Sequence, residues 1–235
     1  LSCFGGEQED IKMAGAFALG HLAVGNVSLY LPTVLQSVDT TSQHPHQYFL
    51  LVALKEMIMV YANLNLQFLE YIDHVLPGLI VHCKSEEEGV RSMVSECIGA
   101  LLIMHGDKII EPLLNVLENL EDKFSRRSIS TSIRHFLSRH AQKVDCSLSI
   151  QDVLTSSRID SLLSLLSDSD LEVQRSALLM VNAAIRHQAD LIRGKLRESV
   201  IPILFNIMQF KQERVVDLGP FKHKVDDGLP LRKAA

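Results

Sequence analysis

The sequence predicts an all-α chain whose helices pair and stack into an α-α superhelix, a solenoid. Composition is the first observation: of the 235 residues, 47% are hydrophobic, 6% are aromatic and none is Trp. That balance is typical of helices rich in Ala, Leu and Ile rather than of strands. The second observation is a recurring phrase of an apolar residue, a proline and two aliphatic residues, found as LPTVL from Leu31, LPGLI from Leu76 and IPIL from Ile201.

The phrase recurs with the period of a helical repeat. Its second position is held in turn by Pro32, Pro77, Pro112, Asp160 and Pro202, at steps of 45, 35, 48 and 42 residues. A period of about 40 residues is typical of repeats built from a pair of helices. A proline inside the first helix of each pair would bend that helix, so we expect the stacked pairs to curve and to leave a concave side.

The second helix of each pair is a separate amphipathic segment. GVRSMVSECIGALL from Gly89 and EVQRSALLMVNAAI from Glu172 each place their aliphatic residues on one helical stripe. Residues suited to cap helices come before such segments: Ser85 with Glu88 as a capping box, and Asp107, Asp122 and Asp170 as N-caps.

These signals divide the chain into three predicted parts. Residues 1–210 form about five helix pairs with partial units at both ends, residues 211–228 form a β-hairpin insertion, and residues 229–235 begin the next repeat helix. The predicted helices are 8–24, 28–37 with 47–62, 66–83 with 88–104, 107–119 with 123–140, 150–167 with 171–187, and 190–209. Residues 43–47 and 143–150 are predicted to be connecting turns.

Charge and cysteine content exclude several classes of protein. The net charge of -5 argues against sequence-independent binding of nucleic acid, which needs clustered Lys and Arg. No apolar run approaches the roughly 20 residues of a membrane span, so no membrane partner is predicted. Cys3, Cys83, Cys97 and Cys146 show no paired spacing, and we expect reduced thiols in a cytoplasmic or nuclear protein. The start without Met and the apolar helical pattern at the end suggest a piece of a longer protein.

No catalytic motif is present in the sequence. It contains no glycine-rich phosphate loop, no H-E-x-x-H, no G-x-S-x-G and no dinucleotide fingerprint. His44 and His46 flank a proline in a predicted exposed turn, and His82 lies roughly 100° around a helix from Cys83, which is poor geometry for one shared metal ion. We therefore predict that the protein is not an enzyme and has no catalytic residues, no metal and no cofactor.

The segment DLGPFKHKVDD from Asp217 is the exception to the helical pattern. Gly219 and Pro220 suit the two central positions of a type II′ turn, because glycine supplies the positive φ of the first position. The register that follows pairs Leu218 with Phe221, Asp217 with Lys222, Val216 with His223, Val215 with Lys224 and Arg214 with Val225.

This predicted hairpin has two possible roles. It is either an ordered loop packed on its own repeat or a projecting contact element, because an isolated two-stranded ribbon is marginally stable in water. The second role is favoured by an apolar patch that a solitary hairpin does not need, formed by Val215, Val216, Leu218 and Phe221.

Five segments carry a resemblance to a known family. GPFKHKVDDGLPLRKAA from Gly219, ALGHLAVGN from Ala18, YLPTVLQ from Tyr30, QYFLLVALKEMI from Gln47 and HCKSEEEGVRSMVSECIGALL from His82 resemble the cullin-associated and neddylation-dissociated family, in that family's order. Between about residues 108 and 145 only the helical pattern agrees, and the approach to the hairpin, FKQERVVDLG, is shorter than in the family. The resemblance covers essentially the whole chain and implies a HEAT-repeat fold from its C-terminal region.

The resemblance also implies a function. Similar proteins wrap around a cullin and its RING subunit when the cullin lacks its ubiquitin-like modifier, in cytoplasm and nucleus. A hairpin near their C-terminal end enters the cullin surface that otherwise takes the substrate-receptor adaptor, so the two compete and each speeds the other's release. The partner-binding residues would then be Val215, Val216, Asp217, Leu218, Gly219, Pro220, Phe221, Lys222, His223, Lys224 and Val225.

Two other hypotheses remain open from the sequence. A nuclear transport receptor of the importin-β type is built from similar repeats, but acidic or Trp-rich inner ridges would be expected and Trp is absent here. A helical accessory domain of a large lipid-kinase-like enzyme would need a catalytic domain elsewhere in a longer chain.

Overall fold

The structure is a computed structural model that describes residues 8–40, 44–64, 66–119, 122–142, 148–217 and 222–235. Its α-helices are α1 (Glu9–Val24), α2 (Val27–Thr40), α3 (His44–Asn63), α4 (Ile72–His82), α5 (Glu88–Asn119), α6 (Lys123–His140), α7 (Ile150–Val153), α8 (Ser156–Leu163), α9 (Leu171–His187), α10 (Ala189–Lys195), α11 (Ile201–Gln209) and α12 (Leu229–Ala234). Short 3₁₀ segments cover Leu69–Tyr71 and Ser164–Ser167, and a π-helical turn covers Leu196–Val200. The strands are β1 (Glu213–Asp217) and β2 (Lys222–Asp226).

The helices form the two layers of an α-α solenoid. In the inner layer α1 packs on α3, α3 on α5, α5 on α6, α6 on α9 and α9 on α12. The outer layer contains α2, α4, the part of α5 after His105, α8, α10 and α11, and Pro77 and Ile80 of α4 line one cavity with Lys108 and Pro112 of α5. Because each helix pair contacts the pairs next to it in sequence, one continuous core runs along the stack. The predicted fold class is confirmed.

The prolines of the repeated phrase lie where the repeat requires them. Pro32, Pro77 and Pro112 are inside α2, α4 and α5, and Pro202 lies in the first turn of α11, where its missing N–H removes no helical bond. α5 covers Glu88–Asn119 as two helical parts separated by a kink at His105, whose φ of -145° and ψ of 49° are not helical. The kink separates the two helices that the sequence predicts as 88–104 and 107–119.

Two of the predicted N-caps are confirmed. The carboxylate of Asp122 accepts hydrogen bonds from the N–H groups of Phe124 and Ser125, and Asp170 accepts from those of Glu172 and Val173. The predicted capping box is wrong, because the Ser85 hydroxyl accepts from the N–H of Glu87, two residues along, instead of Glu88.

Two other predictions about helix starts need correction. Asp107 lies just after the kink, at the start of the second part of α5, but its carboxylate lies 3.7 Å from the guanidinium of Arg158, and no N–H of the described residues donates to it as it would to a cap. The predicted turn at residues 43–47 is also wrong in part, because α3 already begins at His44. There Gln47 is buried and its side-chain amide donates to the carbonyl of Val38 at 3.1 Å, which joins the start of α3 to α2.

Small residues bring α5 and α6 unusually close. Ser125, Ser128, Ser130 and Ser132 are all buried in α6. The Ser95 hydroxyl of α5 donates to the carbonyl of Ser128 at 3.0 Å, and the Ser132 hydroxyl donates to the same carbonyl at 2.8 Å. A Cβ on Gly99 would lie only 2.7 Å from the Cβ of His135 and 3.1 Å from the carbonyl oxygen of Ser132.

The thiols agree with the sequence prediction where they are described. Cys83 and Cys97 are buried and free, and Cys3 and Cys146 lie outside the described residues. Burial raises the pKa of the Cys83 thiol to about 12 and raises that of Cys97 as well. Among the helices described here, none has the length and apolar character needed to cross a membrane.

Candidate partner-binding site

The hairpin has the register that the sequence predicts. β1 and β2 pair antiparallel, with Asp217 opposite Lys222, Val216 opposite His223, Val215 opposite Lys224 and Arg214 opposite Val225. One further pair, Glu213 with Asp226, extends the ladder toward its base. The connecting residues 218–221 lie outside the described residues, so the type II′ turn and the pair of Leu218 with Phe221 stay predictions.

The two faces of the hairpin carry different side chains. Successive residues of a strand point to opposite faces, so Val215 shares a face with Asp217, Lys222 and Lys224, while Val216 lies on the other face with His223. The prediction of a single apolar patch containing both valines is therefore wrong. Val215 is 60% exposed among charged neighbours, whereas Val216 is half-buried and shares its face with Val225.

A network of hydrogen bonds fixes the base of the hairpin. One carboxylate oxygen of Asp226 accepts from the N–H groups of Gln212 and Gly228, at 3.3 and 3.0 Å, and the other accepts from the guanidinium of Arg232 at 2.6 Å. Arg232 also donates to the carbonyl of Phe210 at 2.6 Å. The hydrogen bond from Arg232 is the main reason why the pKa of Asp226 lies below its ordinary value. Asp226 therefore ties together the chain on both sides of the hairpin.

A second ion pair supports the same base. The guanidinium of Arg214 donates to the carboxylate of Asp227 at 2.6 Å, and the N–H of Asp227 donates to the carbonyl of Gln212 at 2.9 Å. The helix that follows, α12, packs on α9, where the side-chain amide of Asn182 donates to the carbonyl of Ala234 at 3.2 Å. The hairpin is thus anchored to the helical stack at its base, while the rest of its described length is mostly exposed.

Sequence reasoning missed an apolar face beside the hairpin. Ile201, Phe205 and Met208 are spaced i, i+4 and i+7 along α11, so they lie on one side of that helix. Phe205 is 61% exposed and Met208 is 58% exposed. The sequence did contain a signal for this face. The segment IPILFNIMQ is apolar almost all round, whereas a helix that buries only one face needs apolar residues on that face alone.

The arrangement defines a class of protein: a helical-repeat scaffold whose prominent feature is an anchored, projecting hairpin. Solved structures show the same fold. The N-terminal domain of MAST/Orbit matches with a TM-score of 0.54 and 18% identity over 84% of this chain and 87% of that one. A tumour overexpressed gene (TOG) domain array of a microtubule polymerase matches with a TM-score of 0.55 and 15% identity over 84% of this chain and 42% of that one. At these identities the likeness concerns the fold alone.

Sequence relatives identify the family. The cullin-associated NEDD8-dissociated protein 1 of Arabidopsis thaliana is 38% identical over 97% of this chain and 18% of its own length. That of Drosophila melanogaster is 35% identical over 100% of this chain and 18% of its own length. The C-terminal part of the same protein in Emericella nidulans is 35% identical over 99% of this chain and 21% of its own length. The resemblance is confirmed: this chain is a relative of the cullin-associated NEDD8-dissociated proteins.

Two facts limit the extent of the match. The chain spans about a fifth of the length of the curated relatives that it matches. A family model described as "TATA-binding protein interacting (TIP20)" matches residues 191–235, which include the hairpin and the helices on both sides of it.

Proposed function

We propose that this chain is the part of a cullin-associated regulator that binds a cullin–RING ubiquitin ligase core lacking its ubiquitin-like modifier. Two observations support the proposal: the relatives are named for their association with cullins, and the hairpin has a fixed base and mostly exposed strands. The second observation carries it, because the hairpin has a shape that can enter a partner's surface. On this proposal the protein works in the cytoplasm and the nucleus.

The proposed mechanism is competition for one site on the cullin. A hairpin seated in the adaptor-binding surface and the substrate-receptor adaptor cannot both be fully bound, so each lowers the affinity of the other. The coupling is reciprocal by thermodynamic necessity. In a transient ternary state both partners are therefore held weakly, and either can leave. Exchange of adaptors would then need binding energy alone and no catalytic group.

The anchored base explains why a small hairpin could act in this way. A ribbon that is already fixed relative to the helical stack loses little conformational freedom when it binds, so more of its contact energy appears as affinity. Asp226 and Arg232 supply this fixation, since they join the end of β2 to α12. The RING subunit would contact the helical stack or repeats elsewhere in a longer protein.

The two faces of the hairpin can be tested separately. Val215→Asp and Val216→Asp each place a charge on a different face. Val81→Asp is the matched control, because Val81 is 63% exposed on the distant helix α4. We expect at least one hairpin variant to lose binding to unmodified cullin–RING complex by about tenfold or more, measured by biolayer interferometry, while the control binds like the parent protein.

The same binding measurement with added adaptor tests the proposed competition. Excess adaptor should raise the apparent Kd of the parent protein for cullin–RING and should leave the residual binding of a disabled hairpin variant unchanged. If binding is equally strong in both hairpin variants and with excess adaptor, then the hairpin is not the contact element. Failure of the parent protein to bind cullin–RING at all would contradict the proposed function itself.

A variant at the base of the hairpin tests whether its anchoring contributes to binding. Asp226→Ala leaves every side chain from Glu213 to Val225 in place but removes the three hydrogen bonds that the carboxylate accepts. We expect weaker binding, through faster dissociation or a lower binding-competent fraction, because the hairpin would then have to be ordered during association. Unchanged kinetics would show that the base does not contribute to recognition.

A further inference from the structure

A second polar surface lies on the inner layer, away from the hairpin. Its side chains line a groove of about 230 Å³ across α5, α6 and α9. We call it the basic groove and define it by its charged residues: Arg91, Arg127, Arg134, Arg175, Glu88 and Glu172. Four guanidinium groups face two carboxylates, so the groove carries an excess of positive charge although the whole chain has a net charge of -5.

The groove faces away from the hydrophobic core. Arg127 and Arg134 are seven residues apart on α6, which is two turns of helix, so they point in nearly the same direction. Ile129 and Ile133 of the same helix are buried in the core on its other side. The arginines are therefore placed by helical periodicity on the open side of the inner layer, where a partner can reach them.

The carboxylates of the groove do not neutralise its arginines. Glu172 is shared, at 3.5 Å from the guanidinium of Arg127 and 3.4 Å from that of Arg175. Arg134 makes no ion pair or hydrogen bond with any residue that the structure describes, although it is half-buried. Burial first, and then the charge of Arg175, lower the pKa of Arg134 below its ordinary value. Both effects mean that a bound anion would stabilise this guanidinium.

Arg91 contributes differently. Its guanidinium donates to the carbonyl groups of Ser85 and Glu86, at 2.6 and 2.7 Å, and lies over the ring of Phe124 at 4.6 Å. It is therefore a fixed positive charge at one end of the groove. Arg134, and Arg175, whose guanidinium lies 3.4 Å from the carboxylate of Glu172, have the planar fork of N–H donors that can bind a carboxylate in bidentate fashion.

We propose that the basic groove binds an extended acidic segment of a partner protein, with its Asp or Glu carboxylates on Arg134 and Arg175. The spacing of the helices gives the length of the bound segment. Three neighbouring helices with axes about 8–10 Å apart span about 20 Å, and an extended peptide crosses that distance with about six residues. A single-stranded nucleic acid fits less well, because none of the residues that line the groove is an aromatic residue on which a base could stack.

This inference does not rest on the proposed cullin function. The groove is built from α5, α6 and α9, whereas the hairpin lies after α11. Val215→Asp should therefore leave binding of an acidic peptide unchanged, and loss of groove function should be measurable without any cullin. The two proposals can fail independently.

The direct test uses a fluorescein-labelled peptide of about six alternating Asp and Glu residues and fluorescence anisotropy at low salt. Arg134→Glu with Arg175→Glu should lower affinity by about tenfold or more, since two charge-assisted contacts become repulsive. Arg186→Glu with Arg193→Glu, at exposed positions outside the groove, makes the same change in net charge and should alter affinity by less than about threefold. Circular dichroism melts of both double variants confirm that each is folded.

A third variant should bind more tightly. Glu172→Gln removes the carboxylate that Arg127 and Arg175 share and frees their donors for the peptide, so affinity should rise severalfold. The proposal is overturned if the parent protein does not bind the peptide, if the groove and control double variants lose affinity equally, or if Glu172→Gln binds no better. A single-stranded oligonucleotide that binds more tightly than the peptide, and loses affinity in the groove variant, would also overturn it.

Discussion

The close contact between α5 and α6 at Gly99 gives a sharp test of the packing. Gly99→Ala would place a methyl group 2.7 Å from the Cβ of His135 and 3.1 Å from the carbonyl oxygen of Ser132. Neither neighbour is the end of a flexible side chain, so α6 itself must move. Gly194 in α10 is the matched control, because a Cβ there would meet nothing within 4 Å.

The magnitude follows from two opposing terms. Replacing glycine with alanine inside a helix stabilises it by about 0.5–1 kcal/mol at either position. Overpacking a close contact costs about 1–3 kcal/mol, and only Gly99→Ala carries that cost. The helix term is common to both variants and cancels in their comparison. Gly99→Ala should therefore be about 1–3 kcal/mol less stable than Gly194→Ala.

The assay is thermal and urea unfolding of the two variants beside the parent protein, followed by far-ultraviolet circular dichroism. For a chain of this size each kcal/mol corresponds to about 2–4 °C in Tm. We expect Gly194→Ala to melt at or above the parent temperature and Gly99→Ala to melt below it. If Gly99→Ala is as stable as Gly194→Ala, then α5 and α6 are not in the close contact described above.

Three further predictions concern single groups. Asp122→Ala should lower the free energy of unfolding in urea by about 1 kcal/mol, because the N-cap of α6 is lost. A loss of less than a few tenths of a kcal/mol would show that Asp122 does not act as a cap. Burial alone would raise the pKa of Asp122, but hydrogen bonds from Ser125 and Phe124 lower it below the ordinary 3.8. The stabilisation by Asp122 is therefore complete above that value and disappears as the pH falls through the lower folded pKa, and unfolding curves of parent and variant should converge in acid. Cys83 and Cys97 should remain unmodified by maleimide in the folded protein and should react after unfolding, because a buried thiol rarely forms the reactive thiolate. Labelling is measured by peptide mass spectrometry, and rapid labelling of either thiol in the folded protein would show that the core opens.

The repeat architecture could be predicted because its signals are local and repeated. A proline in register, an apolar stripe and an aspartate before a helix each act within a few residues, so Pro77 and Asp122 gave the correct helices without knowledge of their neighbours. The break near His105 was predicted for the same reason, and His105 is the non-helical residue between the two parts of α5. The hairpin register followed from Gly219 and Pro220, since a two-residue turn fixes every pair that comes after it.

Other features depended on contacts between distant residues and could not be read locally. The start of α3 at His44 depends on Gln47 bonding to α2. The base of the hairpin depends on Arg232 reaching back to both Asp226 and Phe210, across a separation of 22 residues in the second case. The single apolar patch does not form, because neighbouring residues of a strand point to opposite faces, so Val215 and Val216 are separated although they are adjacent in sequence.

The sequence by itself determined the class of fold, the period of the repeat, the position and register of the hairpin and the family. These depend on patterns of neighbours along the chain, and such patterns survive without any tertiary contact. Only the tertiary structure decided which surfaces remain open. Arg127, Arg134 and Arg175 are unremarkable in sequence, and they form one basic groove because stacking brings α6 and α9 side by side. Partial burial then limits how far water screens the charge of Arg134. A chain with a net negative charge therefore has a local surface that suits an anion.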